Sequence, residues 1–135
     1  SPPPLSPPPP VFTSPDELRS AVEDWCQNGD TGTYGPISSW DTSNMTNMSQ
    51  IFINSYGCNP QIDAWNVAKV TTMQDMFYNA FAFNQPIGGW DMSAVTDVAG
   101  MFYNAQVFNQ PIGKWAVGKV TDMHYMFYNA IAFNQ

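Results

Sequence analysis

Charge is the first thing this chain lacks. Only 11% of its 135 residues are charged, four of them are Lys or Arg, and there is one histidine. A soluble domain carries about a quarter. With so few cations and a net charge of −7, nucleic acid and anionic membrane are excluded as partners. No apolar run approaches the ~20 residues that cross a bilayer, so membrane insertion is not expected. A single imidazole leaves acid–base catalysis little to work with; the expectation is no enzyme, no cofactor and no metal. Cysteine is nearly absent as well. Cys26 and Cys58 lie too far apart for a zinc or redox motif, which leaves one disulfide or two buried thiols. The chain starts at Ser1 and shows no signal-peptide pattern, so either a targeting segment has been removed or the chain is a piece of something longer.

What is present is apolar and aromatic: 44% hydrophobic residues and 15% Phe, Trp and Tyr, enough for a core. Three segments follow. Residues 1–13, SPPPLSPPPPVFT, hold seven prolines in their first ten positions. Proline fixes φ and removes backbone donors, so an extended polyproline II arm is expected. Residues 14–33 read as a cap helix and turn. Ser14 and Glu17 form the two ends of a capping box, Pro15 stands at the first helical position, and Leu18, Val22, Trp25 and Cys26 make an apolar stripe. Asn28-Gly29 supplies a left-handed stop.

Residues 34–135 repeat. Trp40, Trp65, Trp90 and Trp115 recur every 25 residues and start successive units. Ile37, Ile62, Ile87 and Ile112 precede them; Met45, Val70, Val95 and Val120 follow. Next come Ile51, Met76, Met101 and Met126, then Phe52, Phe77, Phe102 and Phe127. A fixed period of this length is the signature of a solenoid, in which each unit is buried by its neighbours. Val95, Val98, Met101 and Phe102 have helical spacing, and Pro-Ile-x-x-Trp suits a short strand. The fold class expected is therefore an α/β repeat: a right-handed leucine-rich-repeat-like solenoid of strand–helix coils with an N-terminal helical cap and a polyproline II arm.

Two resemblances sharpen this. FNQPIGGWDMSAVTDVAGMFYNA at residues 83–105, with PDELRSAVEDWC and YGPISSWDTSNMTNMSQIF ahead of it, resembles the repeats and lead-in of BspA-like leucine-rich-repeat surface proteins. The likeness covers residues 11–135 and implies a secreted or surface-displayed protein with an open, curved solenoid. The Ser1-Pro2-Pro3-Pro4 and Ser6-Pro7-Pro8-Pro9-Pro10 runs of residues 1–10 are similar to the extensin motif of hydroxyproline-rich glycoproteins, which implies hydroxylation of the prolines and O-linked sugar on them and on the serines.

Candidate sites are read by column. His124 shares its column with Ser49, Gln74 and Ala99, a solvated face. Asp97 and Asp122 share one with Asn47 and Thr72, and Asp41 and Asp91 one with Asn66 and Ala116; helix-start capping explains both. Asn54, Asn79, Asn104 and Asn129, with Asn59, Asn84, Asn109 and Asn134, are expected to bond across stacked turns. Tyr78, Tyr103 and Tyr128 form an aromatic column that either covers a flank or offers a stacking platform to sugar or a partner chain. Asn44-Met45-Thr46 and Asn47-Met48-Ser49 are N-glycosylation sequons. Cys58 stands in the column of Phe83, Phe108 and Phe133, and Cys26 lies on the cap-helix stripe that should cover that unit, so the two are expected to pair. The expected function is a structural extracellular glycoprotein, the repeat subunit of a glycan-coated fibril, cell wall or matrix; the alternative is a surface adhesion or ligand-binding module. Its expected partners are copies of itself head to tail, through Trp115, Phe133, Asn134 and Gln135, and covalently attached glycans.

Overall fold

The computed structural model describes residues 2–3 and 7–135. Helix α1 spans Pro15–Asn28. Pro15 opens it, Asp16 and Glu17 sit at the positive end of its dipole, and Gly29 closes it at φ 66° with its N–H on the Trp25 carbonyl. Leu18, Ala21 and Val22 are buried, Trp25 is half-buried, and Cys26 lies at the exposed edge of the stripe. The Ser14 side chain makes no cap bond, so the predicted capping box does not form.

The strand–helix solenoid does not form. Among the described residues α1 is the single α-helix, short 3₁₀ turns lie at Gly29–Thr31 and Ile37–Ser39, and β-pairing is limited to isolated parallel bridges. The reason is in the backbone. Gln50, Asp75, Gly100 and Tyr125 have φ of 55–64°, and Asn54, Asn79, Asn104 and Asn129 have φ of 55–59°. Two left-handed residues per unit break what would have been one helix into turns, since an α-helix needs an unbroken run of negative φ. Short turn bonds such as Met76 N–H to Met73 O (3.1 Å) and Ala80 N–H to Phe77 O (3.0 Å) replace the helical ladder. Pro-Ile-x-x-Trp is likewise a turn, with Trp90 N–H on Ile87 O at 3.1 Å.

The amides left over by those turns face the next unit. Met48, Gln50, Phe52 and Asn54 donate to the carbonyls of Thr72, Gln74, Met76 and Tyr78 at 2.8–3.0 Å. The pattern repeats from Met73, Asp75, Phe77 and Asn79 to the third unit and from Val98, Gly100, Phe102 and Asn104 to the fourth. These four bonds run the same way along the chain. At the head of each run, in the same parallel bridge, Thr71, Thr96 and Thr121 donate back to the threonine of the unit before, through both N–H and hydroxyl.

Side chains stack in the same register. Phe52, Phe77, Phe102 and Phe127 lie ring on ring at 5.3–5.5 Å with 5° between planes, and Phe83, Phe108 and Phe133 form a second row packed against it. Each indole reaches back one unit: Nε1 of Trp65, Trp90 and Trp115 donates to the carbonyl of Ile37, Ile62 and Ile87 at 2.9–3.1 Å. That bond accounts for the Ile-x-x-Trp spacing.

The first unit has no predecessor to fill its carbonyls, and α1 supplies the substitute. Arg19 donates to Ser49 O at 2.8 Å and to Gln50 O at 3.1 Å. Ser49 O is the acceptor that a preceding amide fills in every later unit. Asp16 fixes the guanidinium at 2.9 Å. The end of the proline-rich segment also docks. Phe12 N–H bonds Asp41 O at 3.0 Å, Asp41 N–H bonds Pro10 O at 2.9 Å, and Phe12 is fully buried beside Trp40.

Four substitutions test this. Arg19→Met leaves the Ser49 carbonyl without a donor and the Gln50 carbonyl with the Ile53 N–H alone, and should lower unfolding free energy by about 1–3 kcal/mol, the range for bonds to a charged donor; Arg19→Lys should recover only part, because one ammonium cannot replace a planar fork. A Cβ at Gly88 would collide with the Pro111 carbonyl oxygen, so Gly88→Ala should lower the thermal midpoint while the exposed, unobstructed Gly113→Ala changes it little. Circular dichroism melts of the four variants measure both.

Candidate functional site

The disulfide is present: Cys26 and Cys58 are joined with Cα atoms 5.6 Å apart. Cys58 is buried at the head of the Phe83 row, so the bond takes the place of a missing first ring and pins α1 to the first unit.

Of the sequon asparagines, Asn44 is exposed and its amide makes no hydrogen bond; Asn47 is exposed but its Oδ1 accepts Ser49 N–H at 2.8 Å. Pro2, Pro3, Pro7, Pro8 and Pro9 are exposed and Pro10 is half-buried. Ser1, Pro4 and Ser6, the remaining candidates for sugar or hydroxylation, lie outside the described residues.

The aspartate and asparagine columns cap turns rather than helices. Asp41 accepts from Ser43, Asp91 from Ser93, Asp97 from Ala99 and Asp122 from His124, each two residues on. The hydroxyl and amide of Ser43 hold Asp41 below the usual carboxylate range, those of Ser93 do the same for Asp91, and the His124 amide and ring do so for Asp122. His124 is tied by its ring to Asp122 at 2.8 Å.

The Asn54 column is a continuous amide ladder: Nδ2 of Asn79, Asn104 and Asn129 donates to Oδ1 of the preceding asparagine at 2.7–2.9 Å. The Asn59 column works differently, each Oδ1 accepting the backbone N–H of the next asparagine at 2.8–3.1 Å. Both sets of side chains are spent on stacking.

The tyrosine column is a stack too. Tyr78 and Tyr103 lie 4.4 Å apart at 6°, Tyr103 and Tyr128 4.7 Å apart at 16°. Desolvation inside this row, with Tyr78 and Tyr128 beside it, pushes the Tyr103 hydroxyl above the ordinary phenol range. Ring faces that cover one another cannot also receive a sugar, so within the row the faces not covered by another tyrosine are the outer ones of Tyr78 and Tyr128. Tyr125, absent from the sequence reading, stands edge-on to Tyr128 at 86° and is 68% exposed. Its column mates Gln50, Asp75 and Gly100 share no chemistry with it, which is why column reading passed it over.

The surface at the far end of the repeats gathers Met123, Tyr125, Tyr128 and Ile131, all at least half exposed. The residues singled out there from sequence are less open: Trp115 is buried and Phe133 half-buried, while Asn134 and Gln135 are exposed and bonded to Asn109.

Compared with known proteins, residues 17–135 match the family model described as "Mycoplasma protein of unknown function, DUF285". No curated protein and no solved structure matches the chain. The matched range begins inside α1 and takes in every repeat.

Removing the disulfide should loosen the cap. The Cys26→Ser, Cys58→Ser double variant is expected to lose roughly 3 kcal/mol on the chain-entropy estimate, read as a shift in urea midpoint that reducing agent reproduces in the parent. For the turn caps, a carboxylate with a lowered folded pKa stabilises above its ordinary value of 3.8, and that contribution disappears as pH falls through the folded value. Replacing Ser93 by Ala should therefore move the Asp91 titration up toward 3.8, measured by carboxyl-carbon NMR.

Proposed function

We propose that this chain, which belongs to the DUF285 family, is a structural extracellular glycoprotein, a repeat subunit of a fibril, wall or matrix. The observation that carries the reading is the Cys26–Cys58 disulfide, a bond that persists in oxidising compartments and is rare in the cytosol. The repeats work through shape: their recurring polar side chains are occupied in turn caps and amide ladders. The likeness of the repeats to BspA-like surface proteins and of the proline runs to extensins supports this reading. The placement of N-linked glycan on Asn44, and secondarily on Asn47, with O-linked sugar and hydroxyproline across residues 1–10, belongs to this proposal.

In this reading copies associate head to tail. Charge favours that polarity. The cap segment carries Asp16, Glu17, Glu23, Asp24 and Asp30 against Arg19, whereas Lys114, Lys119 and His124 gather around the fourth unit against Asp122. Arg19 already occupies the Ser49 carbonyl of the first unit, so the contact is with the outer, acidic face of α1 rather than an extension of the backbone ladder. The surface of the fourth unit and the docked proline segment complete it. A heterologous contact of this kind propagates into a fibre if it does not close on itself. The alternative reading, an adhesion or ligand-binding module, is favoured by the orientation of Tyr125.

Peptide mass spectrometry on native material, with sedimentation velocity at low and high salt, tests the proposal. The expected result is sugar mass on peptides covering residues 1–13 and 40–50, and assemblies that dissolve as salt rises. Unmodified masses would remove the glycoprotein, and a monomer at every concentration would remove the fibril.

A further inference from the structure

One place on the repeat surface departs from the periodicity that rules the rest. In the third unit Ala99 and Gly100, the two smallest side chains available, stand where the second unit has Gln74 and Asp75 and the fourth has His124 and Tyr125. The result is a cleft one unit wide with Gly100 in its floor and Tyr103 at its back. The Asp75 carboxylate leans over Gly100 into space that a Cβ would fill. Asp75 is half-buried and its carboxylate has no hydrogen-bond partner, unlike the turn-capping aspartates. On the opposite wall the Tyr125 ring is turned at 78° to Tyr103 and 86° to Tyr128. Tyr125 therefore stands outside the parallel tyrosine stack, and it is 68% exposed. Tyr125 holds this position from a backbone φ of 56°, a conformation costly for a bulky side chain and informative when observed.

We propose that this cleft is a saccharide-binding site, in which the Tyr125 face carries the C–H face of one neutral pyranose while Asp75 and Gln74 bond its hydroxyls. A carboxylate with no internal donor is matched by a pair of vicinal hydroxyls, and an exposed aromatic face by the apolar side of a sugar ring. The cleft is also chemically mixed. The Gln74 amide and the Tyr103 hydroxyl can donate as well as accept, which suits a hydroxyl that does both and is wasted on an ammonium ion that only donates. Burial, and the Asp97 carboxylate behind it, raise the Asp75 pKa, a further sign that its charge lacks compensation. Anionic sugars are disfavoured by the same two carboxylates. The cleft needs no attached glycan, and because its wall shares His124 and Tyr125 with the fourth-unit surface assigned to assembly, binding is measured on the dissociated chain at high salt.

The test is titration of the full chain, followed by amide and side-chain NMR, with methyl α-glucopyranoside, methyl α-galactopyranoside and methyl α-mannopyranoside, and with tetramethylammonium as the cationic probe. Tyr125→Asn and Asp75→Asn are the variants of choice, because asparagine tolerates the left-handed backbone at both positions and the fold should survive, as a melt will show. Saturable shifts at Gly100, Tyr103 and Tyr125 with at least one glycoside, at an affinity of about 1 mM, weakened about tenfold or more in both variants, support the site. No shift with any of the three glycosides, shifts that persist in the variants, or shifts with tetramethylammonium alone overturn it.

Discussion

Everything in this molecule hangs on a backbone ladder with a direction. Alternate amides of one unit donate to carbonyls of the next, four at each interface, and it is the threonine at the head of the run that donates back. In an ordinary sheet both partners exchange donors and acceptors, so an edge is half-satisfied on either side. Here one end of the stack presents mainly acceptors, and buried acceptors without donors are costly. Arg19 is the answer to that asymmetry, a guanidinium placed where amides would otherwise be. The disulfide secures the helix that carries it. Cap, bond and ladder form a single arrangement: without the polarity of the ladder, neither an arginine nor a covalent tie would be needed at that end.

Much of this was legible in the sequence, because stacking in register demands identical residues at identical spacing. The tryptophan, phenylalanine and asparagine columns announced the period, the buried rows and the amide ladder, and the substitution of cysteine for phenylalanine at position 58 pointed to its pairing. The local conformation was misread. Val95, Val98, Met101 and Phe102 satisfy helical spacing and turn spacing equally well, since both bring positions three and four apart to one side. What decides between them is the sign of φ at Gly100 and Asn104. The unvarying asparagine at 54, 79, 104 and 129 was the available clue, as asparagine is enriched in the left-handed region; its companion column, Gln50, Asp75, Gly100 and Tyr125, carried no such signature. Arg19 and the cleft were hidden for a different reason. Neither repeats, and a method that reads columns sees only what recurs.

The same logic separates architecture from function on the repeat surface. Side chains that recur, the stacked tyrosines included, are already used: their ring faces, amide groups and carboxylates are spent on neighbours. Groups left over stand where the pattern breaks. The Asn44 amide, the Asp75 carboxylate and the Tyr125 face are three such leftovers, and each is suited to sugar, one as the point of attachment and two as points of contact. A surface poor in charge and rich in amide and phenol is compatible with a carbohydrate-laden environment, where long-range electrostatics would give little selectivity.

The indole bond has a consequence for how such a chain can change over time. Trp65, Trp90 and Trp115 each reach an isoleucine carbonyl 28 positions back, while the amides reach 24 forward and the threonines 25 back. Three fixed offsets must be honoured together at every level. Deleting or inserting one residue within a unit shifts all three and cannot be absorbed by a local bulge, whereas duplicating a whole unit alters none of them. The molecule can therefore vary its length only in quanta of one period, and its lineage should record gains and losses of entire units far more readily than changes inside them.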